Sequence, residues 1–212
     1  MKKALCILFS ICLLGLRANA QTTPATAEQQ RLMLEQITAV SDKMNSLVCD
    51  FEQTKELSIL NEKIVSKGKM YYLKDNKLRW EYQSPYKYTF LLNGDKIVLE
   101  TEAGRNVIDV NSNRMFGEIA NIMMSGVNGS GLKDDKTFKK SFFWDSKLPS
   151  ILLEPVKKDM KQMFSSVRLT FNASDWSVET VEMKETNGDT TIIRLTGKKV
   201  NEKLDNKLFA VD

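Results

Sequence analysis

From Ser66 to Pro85 large apolar residues alternate with polar ones on either side of Asp75-Asn76. Met70 and Tyr72 share one parity and Lys69 and Tyr71 the other. Beyond the turn, Leu78, Trp80 and Tyr82 alternate with Lys77, Arg79 and Glu81. A period of two predicts a pair of antiparallel strands with one oily and one wet face. Upstream the period is different. Met33, Ile37, Val40, Met44 and Leu47 fall four, three, four and three residues apart, one stripe of an amphipathic helix. Thr26 and Gln29 form a capping-box pattern at its start. Gln30, Glu35, Ser41 and Asn45 make its wet side, so its apolar stripe should lie on the oily face of a sheet.

Further strands follow from the same alternation: Leu47 to Thr54, Ile64 to Leu73, Leu78 to Tyr82, Tyr86 to Leu92, Lys96 to Thr101 and Val107 to Val110. Asn93-Gly94 is a hairpin signal, since both residues tolerate positive φ. The period then becomes helical at Met115, Phe116, Ile119, Ile122 and Met123, with Asn113 able to cap the start and Gly126 the end. Asn128-Gly129-Ser130-Gly131 supplies a flexible tether. A methionine-rich helix on such a tether suits a movable lid; a helix packed permanently on the sheet fits the same pattern. Strands resume over Phe138–Trp144, Ile151–Val156, Phe164–Asn172, Trp176–Lys184 and Thr190–Thr196, with a bulge expected near Glu179-Thr180 and a hairpin at Asn187-Gly188. Leu208 and Phe209 should bring the tail back against the domain.

The pattern gives about eleven strands and two helices joined mostly by short turns, an antiparallel meander. Two helices cannot cover so wide an apolar face, so the sheet must curl. The fold class is therefore mainly β with helices (α+β). Its architecture is an incomplete antiparallel barrel, closed by the N-terminal amphipathic helix and a short helical lid over an apolar cavity. Phe51, Tyr72, Leu78, Trp80, Phe90 and Leu92 are the strand candidates to line that cavity, with Met115, Phe116, Ile119, Ile122 and Met123 from the lid. The same side chains would serve equally to fill a solid core.

Composition narrows the chemistry. Met-Lys-Lys, an apolar run from Ala4 to Leu16, and Ala18-Asn19-Ala20 read as a secretory signal peptide cut after Ala20. The expected organisation is a signal over residues 1–20 and one domain over 21–212. Removing Lys2, Lys3 and Arg17 from the 31 basic residues leaves 28, against 27 acidic ones, with no basic block for nucleic acid. The chain has no histidine, which excludes a Ser-His-Asp triad, a Cys-His pair and any histidine-bearing zinc site. Cys49 alone survives the cut and reads as a small buried hydrophobe. Glu81, Glu100 and Glu102, with Arg168 and Arg194, read as outer-face residues, and Asp134-Asp135 is too short for a calcium loop. No catalytic centre, metal site or cofactor emerges.

Several pieces occur together, in order. They are the signal peptide, the amphipathic helix, Phe51-Glu52-Gln53, Gly68-Lys69-Met70-Tyr71-Tyr72, Leu78-Arg79-Trp80-Glu81-Tyr82 with Ser84-Pro85, Asn93-Gly94, Val200-Asn201 and Leu208-Phe209. In that order and spacing the mature chain resembles the LolA family of periplasmic outer-membrane lipoprotein carriers over nearly its whole length. The resemblance implies a monomeric, non-enzymatic periplasmic protein. Its cargo would be the acyl chains of lipoproteins, received from an inner-membrane lipoprotein-releasing ABC transporter and passed to an outer-membrane acceptor. It also leaves open another amphiphile, such as a glycolipid or fatty acid, or a lipid-sensing regulatory domain. The family's functional arginine, in the turn before the tryptophan strand, falls at Lys74. An ammonium lacks the planar fork of guanidinium, so lid-locking chemistry does not transfer directly. Leu78 and Trp80 match the family's apolar and tryptophan positions.

Overall fold

The computed structural model describes residues 23–111 and 136–211, together with Met124, Val127 and Leu132. One antiparallel sheet of twelve strands dominates it. The first half of the chain contributes β1 (Thr23–Pro24), α1 (Ala27–Lys43), β2 (Ser46–Leu57), β3 (Glu62–Leu73), β4 (Lys77–Ser84), β5 (Tyr88–Asn93), β6 (Lys96–Thr101) and β7 (Gly104–Asp109). The second contributes β8 (Phe138–Trp144), β9 (Ser150–Pro155), α2 (Lys158–Met163), β10 (Phe164–Phe171), β11 (Val178–Glu185), β12 (Thr190–Val200) and a 3-10 turn over Asn206–Phe209. Two meanders, β2 to β7 and β8 to β12, join where β12 pairs with β2. The sheet is open: β7 lies at one end of the strand order and β1, beside β8, at the other.

The capping box forms as its residues require. Thr26 Oγ1 accepts from the Gln29 amide at 3.3 Å, and Gln29 Oε1 accepts from the Thr26 amide at 2.9 Å. The helix stops at Lys43, earlier than the apolar stripe suggests, and Leu47 belongs to β2. The reason is tertiary. Asn201, at φ 62°, receives the Asn45 amide at 2.7 Å and donates to the Lys43 carbonyl at 3.1 Å. A residue more than 150 positions away thus ends the helix.

The turns expected at Asp75-Asn76 and Asn93-Gly94 carry positive φ at Asp75, Asn76 and Gly94. The bulge expected near Glu179-Thr180 is present: β10 pairs Thr170 with Thr180 and then Phe171 with Val178, skipping Glu179. Other expectations need correction. The described residues form twelve strands rather than about eleven, because Thr23–Pro24, for which the alternation predicts no strand, pairs with Phe143 and Trp144 of β8. Tyr86 lies outside β5 and is 78% exposed, and Trp176 precedes β11 with φ 54°. The short helix α2 leaves no mark in the apolar pattern; it has six residues, no side-chain cap and one buried side chain, Met160, too little for a periodic signal.

Most buried apolar residues form one cluster. It includes Met33, Ile37 and Met44 from the helical segment, and Phe51, Met70, Tyr72, Leu78, Trp80, Tyr82, Phe90 and Leu92 from β2 to β5. From the second meander it takes residues such as Ile151, Leu153, Leu169, Phe171 and Leu195. Met124, Val127 and Leu132 join it too. The opposite face of the first meander holds a much smaller cluster, Leu91, Val98 and Phe209, with Tyr71, Leu73, Leu204, Leu208 and Val211 against it. The tail therefore returns to the sheet, as expected, with Phe209 fully buried and its carbonyl accepting from Asn93 Nδ2 at 2.9 Å.

Candidate functional site

Register places the predicted strand residues together. Met70 faces Trp80 and Tyr72 faces Leu78 across β3–β4. Trp80 faces Phe90 and Leu78 faces Leu92 across β4–β5. Phe51 of β2 faces Gly68 of β3. Alternation then turns Phe51, Tyr72, Leu78, Trp80, Phe90 and Leu92 to the same side, and all six are buried.

Gly68 explains how the aromatic centre closes. A Cβ at that position would overlap the Glu81 carbonyl oxygen and the Phe51 ring. Its absence lets Phe51 lie flat over the strand and reach Trp80 and Tyr82, each at 4.9 Å between ring centroids. Tyr82 in turn stacks on Tyr88 at 4.0 Å and donates to Gln53 Oε1 at 2.8 Å. Burial pushes the Tyr82 phenol far above its ordinary range, with the neighbouring Tyr88 adding to it, so it stays neutral.

Trp80 is the exception among the buried polar side-chain atoms described. Its Nε1 is shielded from solvent and has no hydrogen-bond partner. Cys49, next to this centre, is 1% exposed, and burial pushes its thiol up to about 12. That makes it inert packing, as its surroundings in sequence suggest.

Among the described residues, α1 contributes two buried side chains to the cover of this face, Met33 and Ile37, and Met124, Val127 and Leu132 pack into the same cluster. Beside α1 a groove of about 670 Å³ opens between Leu34 and Thr38 of the helix, Leu132, and Phe138, Lys139, Lys140 and Phe142 of β8. A second cleft of about 540 Å³ lies by Pro85, Tyr86 and Tyr88. The six predicted strand residues line neither. The sequence pattern misses the groove residues because β8 is an ordinary alternating strand. Its place beside α1 comes from pairing with β9 and β1.

Lys74 lies in the β3–β4 turn as counted, exposed, with its amide donating to the Asn45 carbonyl at 2.8 Å. The lid candidates Met115, Phe116, Ile119, Ile122 and Met123 lie outside the described residues. Glu81 pairs with Arg79 at 3.1 Å, and Glu100 and Glu102 are exposed. Arg194 is exposed, as expected, while Arg168 is half-buried, donating to Ser150 Oγ at 3.0 Å and lying over the Phe143 ring. Among the described residues no helix is long and apolar enough to cross a membrane, and no group of three His, Cys, Asp or Glu side chains could hold a metal.

These observations define an open antiparallel sheet with one apolar face packed against an amphipathic helix. Residues 42–212 match the family model described as outer membrane lipoprotein carrier protein LolA, and the chain belongs to that family. Several solved structures are similar to it. An uncharacterized conserved protein from Thermus thermophilus is 7% identical, with TM-score 0.54, covering 86% of this chain and 94% of its own. A LolA superfamily protein from Nitrosomonas europaea is 11% identical, with TM-score 0.49 and coverage of 85% and 96%. The Mycobacterium tuberculosis lipoprotein LppX is 11% identical, with TM-score 0.47 and coverage of 85% and 99%. At 7% identity the likeness to the Thermus protein is one of fold. No curated protein matches the chain.

Proposed function

We propose that the chain, cut after Ala20, is a periplasmic carrier that shields lipoprotein acyl chains between an inner-membrane ABC transporter and an outer-membrane acceptor. It acts without catalysis or a cofactor. The observation that carries this reading is the family match across residues 42–212, joined to a broad buried apolar face under a helix with two buried side chains. Each acyl methylene withdrawn from water is worth about 0.8 kcal/mol, so a lipoprotein cannot cross an aqueous space unescorted. A carrier must also let go. A cover held by few buried residues can lift when cargo enters and fall back when it leaves, competing with the cargo for the same face.

In this reading Phe51, Tyr72, Leu78, Trp80, Phe90 and Leu92 meet the chains once α1 is displaced, and the groove by Leu34 and Phe142 is the entrance. The unpartnered Trp80 Nε1 fits an interior that opens to a cargo carbonyl. Met115 to Met123 would serve as the second cover. Lys74, exposed in its turn, would take the place of the family's arginine without its planar fork.

Purification of the protein from its native periplasm tests the reading. Triacylated polypeptide should co-purify. Free glycolipid or fatty acid alone, or a membrane signalling protein without lipid, would overturn it in favour of another amphiphile or a sensing role. A disulfide from α1 to the sheet should block uptake, and uptake unchanged by that bond would remove the lifting helix from the mechanism.

A further inference from the structure

The β2–β3 hairpin runs past the rest of its sheet. β4 ends at Ser84, opposite Lys67, so among the described residues Glu62 to Ser66 pair with β2 alone, roughly 17 Å of strand beyond that neighbour. At the apex Ile59 is 87% exposed and Leu60 62%, and Ile64 and Val65 just behind them are also exposed. Four exposed aliphatic side chains within seven residues contrast with the scattered single ones elsewhere on the described surface, such as Leu148, Val156 and Val200.

The apex is held out rather than loose. Ser58, directly before Ile59, donates its amide at 3.0 Å and its hydroxyl at 3.3 Å to the Asp189 carboxylate, and the hydroxyl also lies 3.2 Å from the Asn187 carbonyl. Gly188, at φ 93°, has no Cβ to crowd the Ser58 hydroxyl. The amide of Ser58 holds the Asp189 carboxyl below the ordinary carboxylate range, so this tie persists throughout neutral and mildly acid conditions. The hairpin tip is thereby clamped to the β11–β12 turn.

We propose that Ile59 and Leu60 dip into the interface of a phospholipid bilayer. The surface is a peak, and a peak cannot seat a helix or peptide as a groove does. Its side chains are aliphatic, whereas protein-binding hot spots favour Trp, Tyr and Arg. The lysines of the collar behind it are engaged: Lys63 pairs with Glu56, Lys67 with Glu52 at 3.0 Å, and Lys55 with Glu185 at 3.0 Å, while Glu62 and Asp189 tip the collar to net negative charge. A collar without surplus cations gains nothing from anionic headgroups, so the aliphatic apex itself carries the contact with the bilayer. Insertion stops at the interface, because beyond Lys67 the outer edge of β3 is no longer paired to β4 and its backbone groups would meet hydrocarbon. Two side chains give a brief contact, which a shuttling protein needs. The same hairpin carries Phe51 and Gly68 midway along it, so the membrane contact and the proposed acyl face share one rigid element.

This inference deepens the carrier reading by naming what the delivering molecule touches. Vesicle binding by cargo-free protein tests it independently of cargo, so either idea can fail alone. The mature chain is labelled at Ile59→Cys, and separately at Val200→Cys at the opposite end of the sheet, with an environment-sensitive fluorophore. It is then mixed with phosphatidylethanolamine–phosphatidylglycerol vesicles. The label at position 59 should shift to the blue, that at 200 should not, and the shift should survive high salt. The exposed double variant Ile59→Asp/Leu60→Asp should keep its melting temperature and acyl uptake while losing roughly tenfold or more in vesicle flotation. No shift at 59, an equal shift at both sites, loss of the shift in salt, or full flotation of the double variant would overturn the proposal. So would a shift produced by an acceptor protein but not by vesicles.

Discussion

The two ends of the β2–β3 hairpin carry similar residues to opposite fates. From its middle to one end Phe51, Met70 and Tyr72 are at most 4% exposed; at the other Ile59, Leu60, Ile64 and Val65 lie open to solvent. Hydrophobicity does not separate them. What separates them is neighbours. β4, β5 and α1 flank or cover the first end, and beyond Lys67 the strand has lost β4. A strand's oily face is buried only as far as the next layer reaches, and residues past that limit are free to meet something outside the chain.

The contrast can be broken at either end. The largest effect should come from the buried end: Phe51→Ala removes the ring that joins Trp80 and Tyr82 and should cost about 3–5 kcal/mol, read by chemical denaturation. A loss below about 1 kcal/mol would mean that the aromatic centre is not a tightly packed core. Gly68→Ala should follow at about 1–3 kcal/mol, because the added methyl meets a backbone carbonyl that cannot swing away. The same measurement would contradict the close approach of Phe51 if Ala were neutral there. Smallest of all, Ile59→Ser should move stability by no more than about 0.5 kcal/mol. A larger loss would show that the apex packs against its own chain, and would sharpen the comparison by removing its exposed pole.

Much of this is legible from spacing. The parity of Leu78, Trp80 and Tyr82 sets which side chains share a face, and the buried alternation along β4 follows it. Thr26 and Gln29 announce the helix start. The helix end is hidden, since Asn201 supplies it from the far end of the chain. The groove beside α1 is hidden too, because Phe138 and Phe142 read as any half-buried strand until β8 is placed next to the helix. Ile64 and Val65 look like ordinary strand residues; the shorter run from Leu78 to Tyr82 already leaves them without a β4 partner, but their exposure shows only in the fold.

The sequence by itself determined the local rules: two-residue alternation, the capping box, the positive-φ turns, and the lack of histidine that excludes a Ser-His-Asp triad, a Cys-His pair and histidine-bearing zinc sites. Those depend on neighbours a few bonds away, so they can be read in one dimension. The tertiary structure decided how far each oily face is covered, where α1 ends, and that Ser58 is clamped to Asp189. Such facts depend on contacts between residues more than a hundred positions apart, and burial is set by what lies above a side chain rather than by the side chain itself.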